Sequence, residues 1–376
     1  MSGKDDMPAS LPALPRSSGR TLLFTVHRHV AAIMSPVHWS EVVVTAPVRV
    51  VDLGGWTDTW FAGRGHVTNV AVGPGVTVRV VPSGGSGASH SSGSSRGSIT
   101  LRSLGEHHVL DATLAVPGHP VIEAIVRSHP VDGPVSMFID SSVPPGSGLG
   151  TSAAVAVALL AALRCATDAD IDPPSLAAEA HALETGTGIQ SGVQDHVAAA
   201  IGGVCHIEVD YPRFRAEQVS ISREVGEALS ARLVTVYFGR PHRSSDIHHQ
   251  VIARLESADP QLLLEPLREL ALEATAAFGA ADLDALAAVM RRSAAAQAAL
   301  DPRLVCADAQ RLIELCGELD GAAKVNGAGG DGGSATVLLP ADTGAARALV
   351  DGIDAVPGWS RLDLSVSLGG VTAVRR

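Results

Sequence analysis

Short runs of β-branched and apolar residues alternate along this chain with longer alanine- and leucine-rich stretches, which predicts interleaved strands and helices. The predicted strands cover residues 42–44, 48–53, 67–81, 99–114, 135–139, 204–209, 233–238, 335–339, 362–368 and 371–374. The predicted helices cover residues 119–128, 153–167, 175–185, 193–201, 246–292, 308–319 and 345–353. The elements do not follow strict βαβ order, so the pattern predicts an α+β fold rather than a doubly wound sheet.

The pattern also predicts a tail followed by two domains. Residues 1–40 mix proline, serine and charge, which is typical of a partly disordered tail. We expect an N-terminal domain over 41–215 and a C-terminal domain over 216–376. The Gly/Ser-rich segment 82–98 predicts a long flexible hairpin tip between two strands.

Composition narrows the class of protein. The chain has 376 residues, of which 46% are hydrophobic, enough for one large core or two medium ones. Only 18% are charged, and the net charge of −11 argues against a nucleic-acid binder that neutralises phosphates. The only lysines are Lys4 and Lys324, so a lysine-dependent mechanism has almost no candidates.

The four cysteines show no CxxC pair and three of them have apolar neighbours, which predicts buried free thiols and suits a reducing compartment. We find no basic-then-apolar leader and no apolar run of 18 residues. These features predict a cytoplasmic protein with no membrane or nucleic-acid partner. The oligomeric state stays open, with a homodimer as one alternative.

The stretch Val143–Ala154 carries three glycines and three small hydroxyl residues between a predicted strand and a predicted helix. Glycines let a backbone approach a ligand closely, and the helix start presents unpaired N–H groups and the positive end of its dipole. This combination is typical of a phosphate-binding site. The spacing is not that of a GxxxxGK[ST] loop. A glycine-rich turn before a buried helix is the alternative interpretation.

Three motifs stand in one order along the chain. They are Ala46–Asp58 (APVRVVDLGGWTD), Pro144–Ala154 (PPGSGLGTSAA) and the glycine-rich Gly327–Gly333. They resemble the three signatures of the GHMP kinase superfamily, with Thr151 in place of the usual first serine of the second. Gln194-Asp195 followed by Gly202-Gly203 is similar to a segment of the sugar-kinase branch. The resemblance covers about residues 41–376.

The resemblance implies an ATP- and Mg²⁺-dependent kinase with a ribosomal-S5-domain-2-like N-terminal domain and a ferredoxin-like C-terminal domain. The segment around Trp56 looks closest to L-fucokinases and heptose 7-phosphate kinases; galactokinases have histidine there, preceded by glutamate. We therefore expect transfer of the γ-phosphate to a sugar hydroxyl, the anomeric one by resemblance. A cyclitol or mevalonate-type acceptor and a non-catalytic nucleotide-binding regulator are the alternatives. Asp331 departs from the third signature and leaves the acceptor open.

The resemblance also implies which residues meet ATP and the metal. The ATP phosphates would be bound by Pro145, Gly146, Ser147, Gly148, Leu149, Gly150, Thr151 and Ser152. Ser152 and Glu184 match the positions that hold Mg²⁺, a cation that prefers hard oxygen ligands. A solvated helix face is the alternative for Glu184.

Asp195 is the candidate general base, because its apolar neighbours imply that the carboxylate has a partner or a role. By resemblance, Arg49 would keep Asp195 ionised. The alternatives are a local cap for Asp195 and a structural salt bridge for Arg49. The residues predicted to bind the acceptor are Gly55, Trp56, Thr57, Asp58, Asp195, His242, Gly329 and Gly330.

Two of these residues have alternatives. Asp58 would accept hydrogen bonds from sugar hydroxyls or form an Asx turn, and Trp56 would cover a ring or only pack. We interpret both as exposed in the turn 54–59. His242, Arg243 and Ser245 are further candidates for the acceptor site.

Overall fold

A computed structural model describes residues 39–83, 97–111, 113–242, 245–257 and 260–376. For residues 245–248 and 260–261 this description covers the backbone and not the side chains. The predicted tail up to residue 38 and most of the predicted hairpin tip, 84–96, lie outside the described residues. Residues 39–376 form one compact unit. The domain boundary after residue 215 stays a prediction.

Strands and helices are interleaved, which confirms the predicted α+β class. The strands are β1 (Val42–Leu53), β2 (Arg64–Pro82), β3 (Gly97–Leu101), β4 (Glu106–Leu110), β5 (Val135–Ser141), β6 (Val204–Asp210), β7 (Arg213–Val219), β8 (Leu233–Tyr237), β9 (Ala322–Val325), β10 (Ser334–Leu338), β11 (Ser360–Leu362), β12 (Ser365–Val366) and β13 (Thr372–Arg375). The helices are α1 (Pro120–Ser128), α2 (Thr151–Ala166), α3 (Pro173–Gly186), α4 (Gln194–Ile201), α5 (Arg223–Arg232), α6 (Ser245–Ser257), α7 (Pro260–Gly279), α8 (Leu283–Leu300), α9 (Ala307–Glu318) and α10 (Thr343–Asp354).

Within the described residues, nine strands form a large sheet in the order β13-β1-β2-β5-β3-β4, with β6 and β12 also paired to β2 and β7 paired to β6. Residues 46–53 of β1 are all buried, although successive side chains point to opposite faces. Both faces of the sheet are therefore covered at this strand. Helices α2, α4 and α7 pack against β1 and β2 and provide that cover.

A second sheet has the antiparallel order β11-β8-β10-β9. Its core includes Val236 and Val337 of the strands and Leu312 and Leu349 of α9 and α10, all fully buried. The predicted glycine-rich loop 326–333 joins β9 to β10. This connection places the loop at the end of the second sheet.

The structure differs from the sequence prediction in three missed elements, in two spans that are divided and in how the chain ends. The predicted strand 99–114 is divided into β3, a short 3₁₀ helix at Arg102–Leu104 and β4. Strand β7 was missed because its exposed polar residues hide the strand pattern, helix α5 because it buries only two residues, and β9 because it has four residues. The helical span 246–292 falls in three helices, α6 to α8. The strands predicted over 362–368 and 371–374 were expected to close one sheet, but the strands observed at this end belong to two sheets: β11 joins the small sheet, while β12 and β13 join the large one.

The cysteines are free thiols, as predicted. Cys205 and Cys316 are buried, and burial raises the pKa of each thiol to about 12. Cys165 and Cys306 are partly exposed, so burial of the thiols holds for two of the four. Of the helices that the structure describes, none has the length and apolar character needed to cross a membrane.

Candidate active site

The glycine loop between β5 and α2 takes a backbone path that only glycine adopts easily. Gly146, Gly148 and Gly150 have φ values of 70°, 78° and 74°. A Cβ atom on Gly148 would lie 2.9 Å from the carbonyl oxygen of Asn326, and one on Gly150 would lie 2.9 Å from Cγ of Asp195. Helix α2 begins directly after Gly150, so its N-terminal N–H groups face the loop. The loop has the geometry of an anion site.

The second glycine loop packs directly on the first. Ser334 Oγ donates to the carbonyl of Ser147 at 2.6 Å and accepts from Asn326 Nδ2 at 2.9 Å. A Cβ atom on Gly327 would lie 3.0 Å from the carbonyl oxygen of Gly148. Glycine in both loops thus lets the ends of the two sheets meet.

Two cavities with different walls lie beside the first loop. The larger, of about 330 Å³, is lined mainly by apolar side chains and also by Gly146 and Ser152. The smaller, of about 240 Å³, has a polar and aromatic wall that includes Arg49, Trp56, Asp58, Asp195 and Gly327. The loop lines the apolar cavity at Gly146 and touches Asp195 of the polar cavity at Gly150.

Asp195 and Arg49 form an ion pair at the polar cavity. Arg49 Nε donates to Asp195 Oδ1 at 2.7 Å, and Arg49 Nη1 donates to the carbonyl of Gly148. The Arg49 side chain is buried, whereas 26% of the Asp195 side chain is exposed. Burial alone would lower the pKa of Arg49, but the charges of Asp195 and Asp52 outweigh it and raise the pKa. Arg49 therefore stays protonated and links Asp195 to the glycine loop.

A second buried ion pair lies next to Arg49, and the sequence interpretation missed it. Val51 has φ = 53°, in the left-handed region, and lies where the register between β1 and β2 is irregular, between Val50 and Leu53. Asp52, just after it, accepts from Lys324 Nζ at 3.0 Å, and the two side chains are 0% and 3% exposed. Burial lowers the pKa of Lys324, while the charge of Asp52 opposes that change.

Glu184 is held in one orientation near the start of α2. Its Oε1 accepts from Ser152 Oγ at 2.9 Å, and its Oε2 accepts from Ser191 Oγ at 2.9 Å. His196 Nε2 lies 3.0 Å from the same Oε2. Burial raises the pKa of Glu184, but the contacts with His196, Ser191 and Ser152 outweigh it and hold the pKa at about 2. The residue is 3% exposed, so it is not on a solvated helix face.

Ser152 and Glu184 also fit the Mg²⁺ that the resemblance implies. Their oxygens are hard donors, one of them ionised, and they lie 2.9 Å apart. Ser152 lines the apolar cavity together with Gly146 of the glycine loop. A cation held here would lie beside the predicted phosphate site.

The expectation that Trp56 and Asp58 are exposed is wrong: they are 7% and 1% exposed. Asp58 Oδ2 accepts from the backbone N–H of Gln194 at 3.1 Å, and Trp56 Nε1 donates to the carbonyl of Ala328 at 3.1 Å. Both line the polar cavity. Burial raises the pKa of Asp58 to about 6, with a smaller contribution from the charge of Asp195.

Gly192 packs against Asp58 so closely that a side chain has no room. A Cβ atom on Gly192 would lie 2.0 Å from Asp58 Oδ2. We expect Gly192→Ala to displace the Asp58 carboxylate and raise the KM for the acceptor by about 10-fold or more, with little change in KM for ATP. Gly186→Ala is the matched control, because its Cβ would meet nothing within 4 Å. Equal acceptor KM values in the two variants would contradict this prediction.

Of the other predicted acceptor residues, one lines the polar cavity and the rest contact the protein backbone. Gly55 lines the polar cavity, but Thr57 is fully buried and donates to the carbonyls of Gly54 and His66 at 2.7 and 3.0 Å. Thr57 thus holds the turn in shape. Gly330 donates its N–H to the carbonyl of Leu304 at 2.9 Å.

His242 and Gly329 also lie against backbone. The N–H of His242 donates to the carbonyl of Gly146 at 2.8 Å, which places this residue at the glycine loop. A Cβ atom on Gly329 would lie 2.3 Å from the carbonyl oxygen of Leu304. Arg243 lies outside the described residues, as does the side chain of Ser245.

Several residues of the polar cavity were not predicted. They are Thr59, Trp60, Phe61, Gln190, Ser191, Gly192, Gln194, Ile252 and Ala328. The polar stretch of residues 190–192 stands directly before the Gln194-Asp195 motif, so its position was a usable signal. Ile252 of α6 had no such signal.

Comparison with known proteins agrees with this geometry. Residues 118–203 match the GHMP kinases N terminal domain. The bifunctional fucokinase/GDP-fucose pyrophosphorylase of Arabidopsis thaliana is 26% identical over 325 residues, covering 81% of this chain but 30% of the plant protein. The mevalonate kinase of Methanothermobacter thermautotrophicus is 28% identical over 178 residues, which cover 45% of this chain and 57% of that enzyme. The chain thus spans less than two thirds of either relative.

The fold has solved counterparts. The crystal structure of a D-glycero-D-manno-heptose 1-phosphate kinase from Bacteroides thetaiotaomicron aligns with a TM-score of 0.66 at 17% identity, covering 89% of this chain and 98% of that one. The chain therefore has the fold of the GHMP kinases, its residues 118–203 match their N-terminal domain, and its sequence is similar to that of a fucokinase over most of its length.

Proposed function

We propose that this protein is an ATP-dependent kinase that transfers the γ-phosphate of ATP to a hydroxyl group of a sugar. One observation carries the proposal. The glycine loop lines an apolar cavity suited to a nucleotide base. At its other end, the loop contacts Asp195 of the polar cavity, since a Cβ atom on Gly150 would lie 2.9 Å from Asp195 Cγ. A phosphate donor and a hydroxyl acceptor would then meet at the loop, and positioning of this kind is the main requirement of phosphoryl transfer.

In the proposed reaction, the acceptor oxygen attacks the γ-phosphorus, the bond to the β–γ bridging oxygen breaks, and ADP leaves. Asp195 takes the hydroxyl proton, and Arg49, which donates to Asp195 Oδ1, holds the carboxylate in position. Backbone N–H groups of the loop and of the start of α2 stabilise the phosphate charge. Ser152 and Glu184 would hold Mg²⁺, which supplies further charge neutralisation when bound.

The charges of the polar cavity favour a neutral polyol as the acceptor. Of its described lining residues, Arg49 alone is a cation, and it is already paired with Asp195. Asp58 and Asp195 would accept hydrogen bonds from hydroxyl groups and would repel an anionic acceptor such as mevalonate. A neutral sugar such as L-fucose suits these charges, and phosphorylation at its anomeric hydroxyl would give a sugar 1-phosphate. A heptose 7-phosphate would require a further cation from beyond the lining of this cavity.

A screen of ADP release tests the acceptor class. The panel would contain L-fucose, other free sugars, heptose 7-phosphates, cyclitols and mevalonate, each with ATP and Mg²⁺. Turnover with free sugars supports the proposal, and ³¹P NMR of the product identifies the hydroxyl. Turnover only with mevalonate or cyclitols would overturn the sugar assignment. Tight ATP binding without turnover of any acceptor would indicate the non-catalytic regulator.

The pKa of Asp58 predicts how acceptor use depends on pH. Because burial raises this pKa to about 6, the carboxylate loses its proton, and becomes a pure acceptor, only above that pH. We expect kcat/KM for the acceptor to rise about 10-fold between pH 5 and pH 7. In Asp58→Asn the rise should disappear while kcat/KM stays low throughout. An equal slope in that variant would assign the titration to another group.

A further inference from the structure

A glutamate and two histidines meet where strand β4 approaches the start of helix α1. Glu106 and His108 are two residues apart on β4 and therefore share one face of the strand. His119 is the N-cap residue of α1. Glu106 Oε2 lies 2.6 Å from His119 Nε2 and 3.2 Å from His108 Nε2. Two elements thus aim three donor atoms at one point.

We propose that Glu106, His108 and His119 form a binding site for a transition-metal dication, with Zn²⁺ as the best-fitting ion. Two imidazole nitrogens and one carboxylate oxygen are a donor set that suits zinc and its neighbours, whereas Mg²⁺ and Ca²⁺ prefer oxygen alone. This makes the site chemically different from the Ser152–Glu184 pair. None of the three belongs to the sequence motifs or takes part in the proposed chemical steps, although His119 also lines the apolar cavity assigned to the nucleotide base.

The distances need little adjustment to accommodate an ion. The three ligand atoms all lie within 4.8 Å of one another. Zinc bonds of about 2.0–2.2 Å in tetrahedral geometry place neighbouring ligand atoms about 3.3 Å apart. The separations from Glu106 Oε2, 2.6 and 3.2 Å, are close to that value. Small rotations of the side chains would open the space for the ion.

Access from solvent and the number of ligands also fit. The side chains of His108, His119 and Glu106 are 17%, 20% and 41% exposed. An ion could therefore enter from water and keep a water molecule as its fourth ligand, as in zinc sites with three protein ligands. The rings of the two histidines are edge-to-face with centroids 5.6 Å apart, so both nitrogens can approach one ion. Across the described residues, this is the one cluster of three or more such groups.

Hydrogen bonding without metal is the competing explanation. Hydrogen bonds from His119 and His108 lower the pKa of Glu106, so the carboxylate is ionised at neutral pH in either case. In the first explanation, protons link the histidine nitrogens to the glutamate oxygen; in the second, a metal ion links them. A metal-binding measurement separates them directly.

The experiment uses the full chain, stripped with a chelator and titrated with Co²⁺ as a spectroscopic probe and with Zn²⁺ by calorimetry. We expect one equivalent bound, with visible Co²⁺ bands of four-coordinate intensity that Zn²⁺ abolishes. His108→Ala and His119→Ala should each weaken binding by about 10²-fold or more, since even changes behind metal ligands cost 10–100-fold. His107→Ala is the matched control, because His107 lies on the opposite face of β4 and contacts Thr100 Oγ1.

Glu106→Gln controls for misfolding. Glutamine keeps the shape of the side chain, so the protein should fold, while the loss of the charge should still weaken metal binding. Thermal unfolding in chelator shows whether each variant is folded, and added Zn²⁺ should raise Tm of the wild-type chain but not of the double histidine variant. Unchanged affinity in His108→Ala/His119→Ala would overturn the proposal. So would a thiolate-to-cobalt charge-transfer band, which would assign binding to the partly exposed Cys165 or Cys306.

Discussion

Asp195→Asn is expected to lower kcat by about 10²-fold or more, because a general base contributes 10²–10⁴-fold and asparagine cannot take the proton. ATP binding should be retained, since the nucleotide phosphates would contact the glycine loop rather than this side chain. The variant keeps the shape that fits against Gly150, and Arg49 keeps an oxygen acceptor. Single-turnover kinetics with the acceptor found in the screen would measure the chemical step itself.

Asp210→Asn is the control for this experiment. Asp210 is 75% exposed and pairs with the exposed Arg213, so its substitution should leave kcat unchanged. Equal rates for Asp195→Asn and the wild type would remove Asp195 as the base while leaving the kinase proposal standing. Loss of ATP binding in Asp195→Asn would instead indicate that this residue stabilises the loop.

The parts of the site that sequence predicts well are those built from neighbouring residues. The loop 144–152 has its glycines, its preceding strand and its following helix in one continuous stretch, so local rules describe it. The α+β class follows from element order in the same way. The Arg49–Asp195 contact spans 146 residues and was expected only because the motifs resemble a known superfamily.

What sequence could not predict depends on partners far along the chain. Trp56 and Asp58 stand in a polar turn that looks exposed, yet they are buried by contacts with Ala328 and with Gln194. No periodicity encodes such contacts, which join the turn after β1 to a helix and to a loop of the other sheet. The cluster of Glu106, His108 and His119 is a similar case, because two of its members lie on β4 and the third stands at the start of α1.

Lys324 is the clearest example of a residue whose environment the sequence hides. The chain has two lysines, and the one near the site is fully buried against Asp52, which is 272 residues away. Lys324 Nζ also donates to the carbonyl of Val325 at 2.8 Å. Its charge therefore balances that of Asp52. Arg49, on the same strand as Asp52, interacts electrostatically with both: the charge of Asp52 raises the pKa of Arg49, and the charge of Arg49 lowers the pKa of Lys324.

Lys324→Met is expected to destabilise the protein by about 3–5 kcal/mol, the usual cost when a buried ion pair loses one partner. Methionine fills most of the lysine volume, so the main loss is electrostatic: Asp52 stays buried with no countercharge from Lys324. Urea unfolding followed by circular dichroism measures the change. Arg223→Met is the control, because the Arg223–Glu227 pair is exposed and should contribute about 0.5 kcal/mol or less.

The double variant Asp52→Leu/Lys324→Met separates charge from packing. If the cost of the single variant is an uncompensated charge, removing both charges should recover most of the lost stability, because apolar replacements of buried pairs are often neutral. A double variant as unstable as the sum of the two single variants would instead show that the pair is needed for packing. A stable double variant with low kcat would indicate that the pair orients Arg49, and through Arg49 the carboxylate of Asp195.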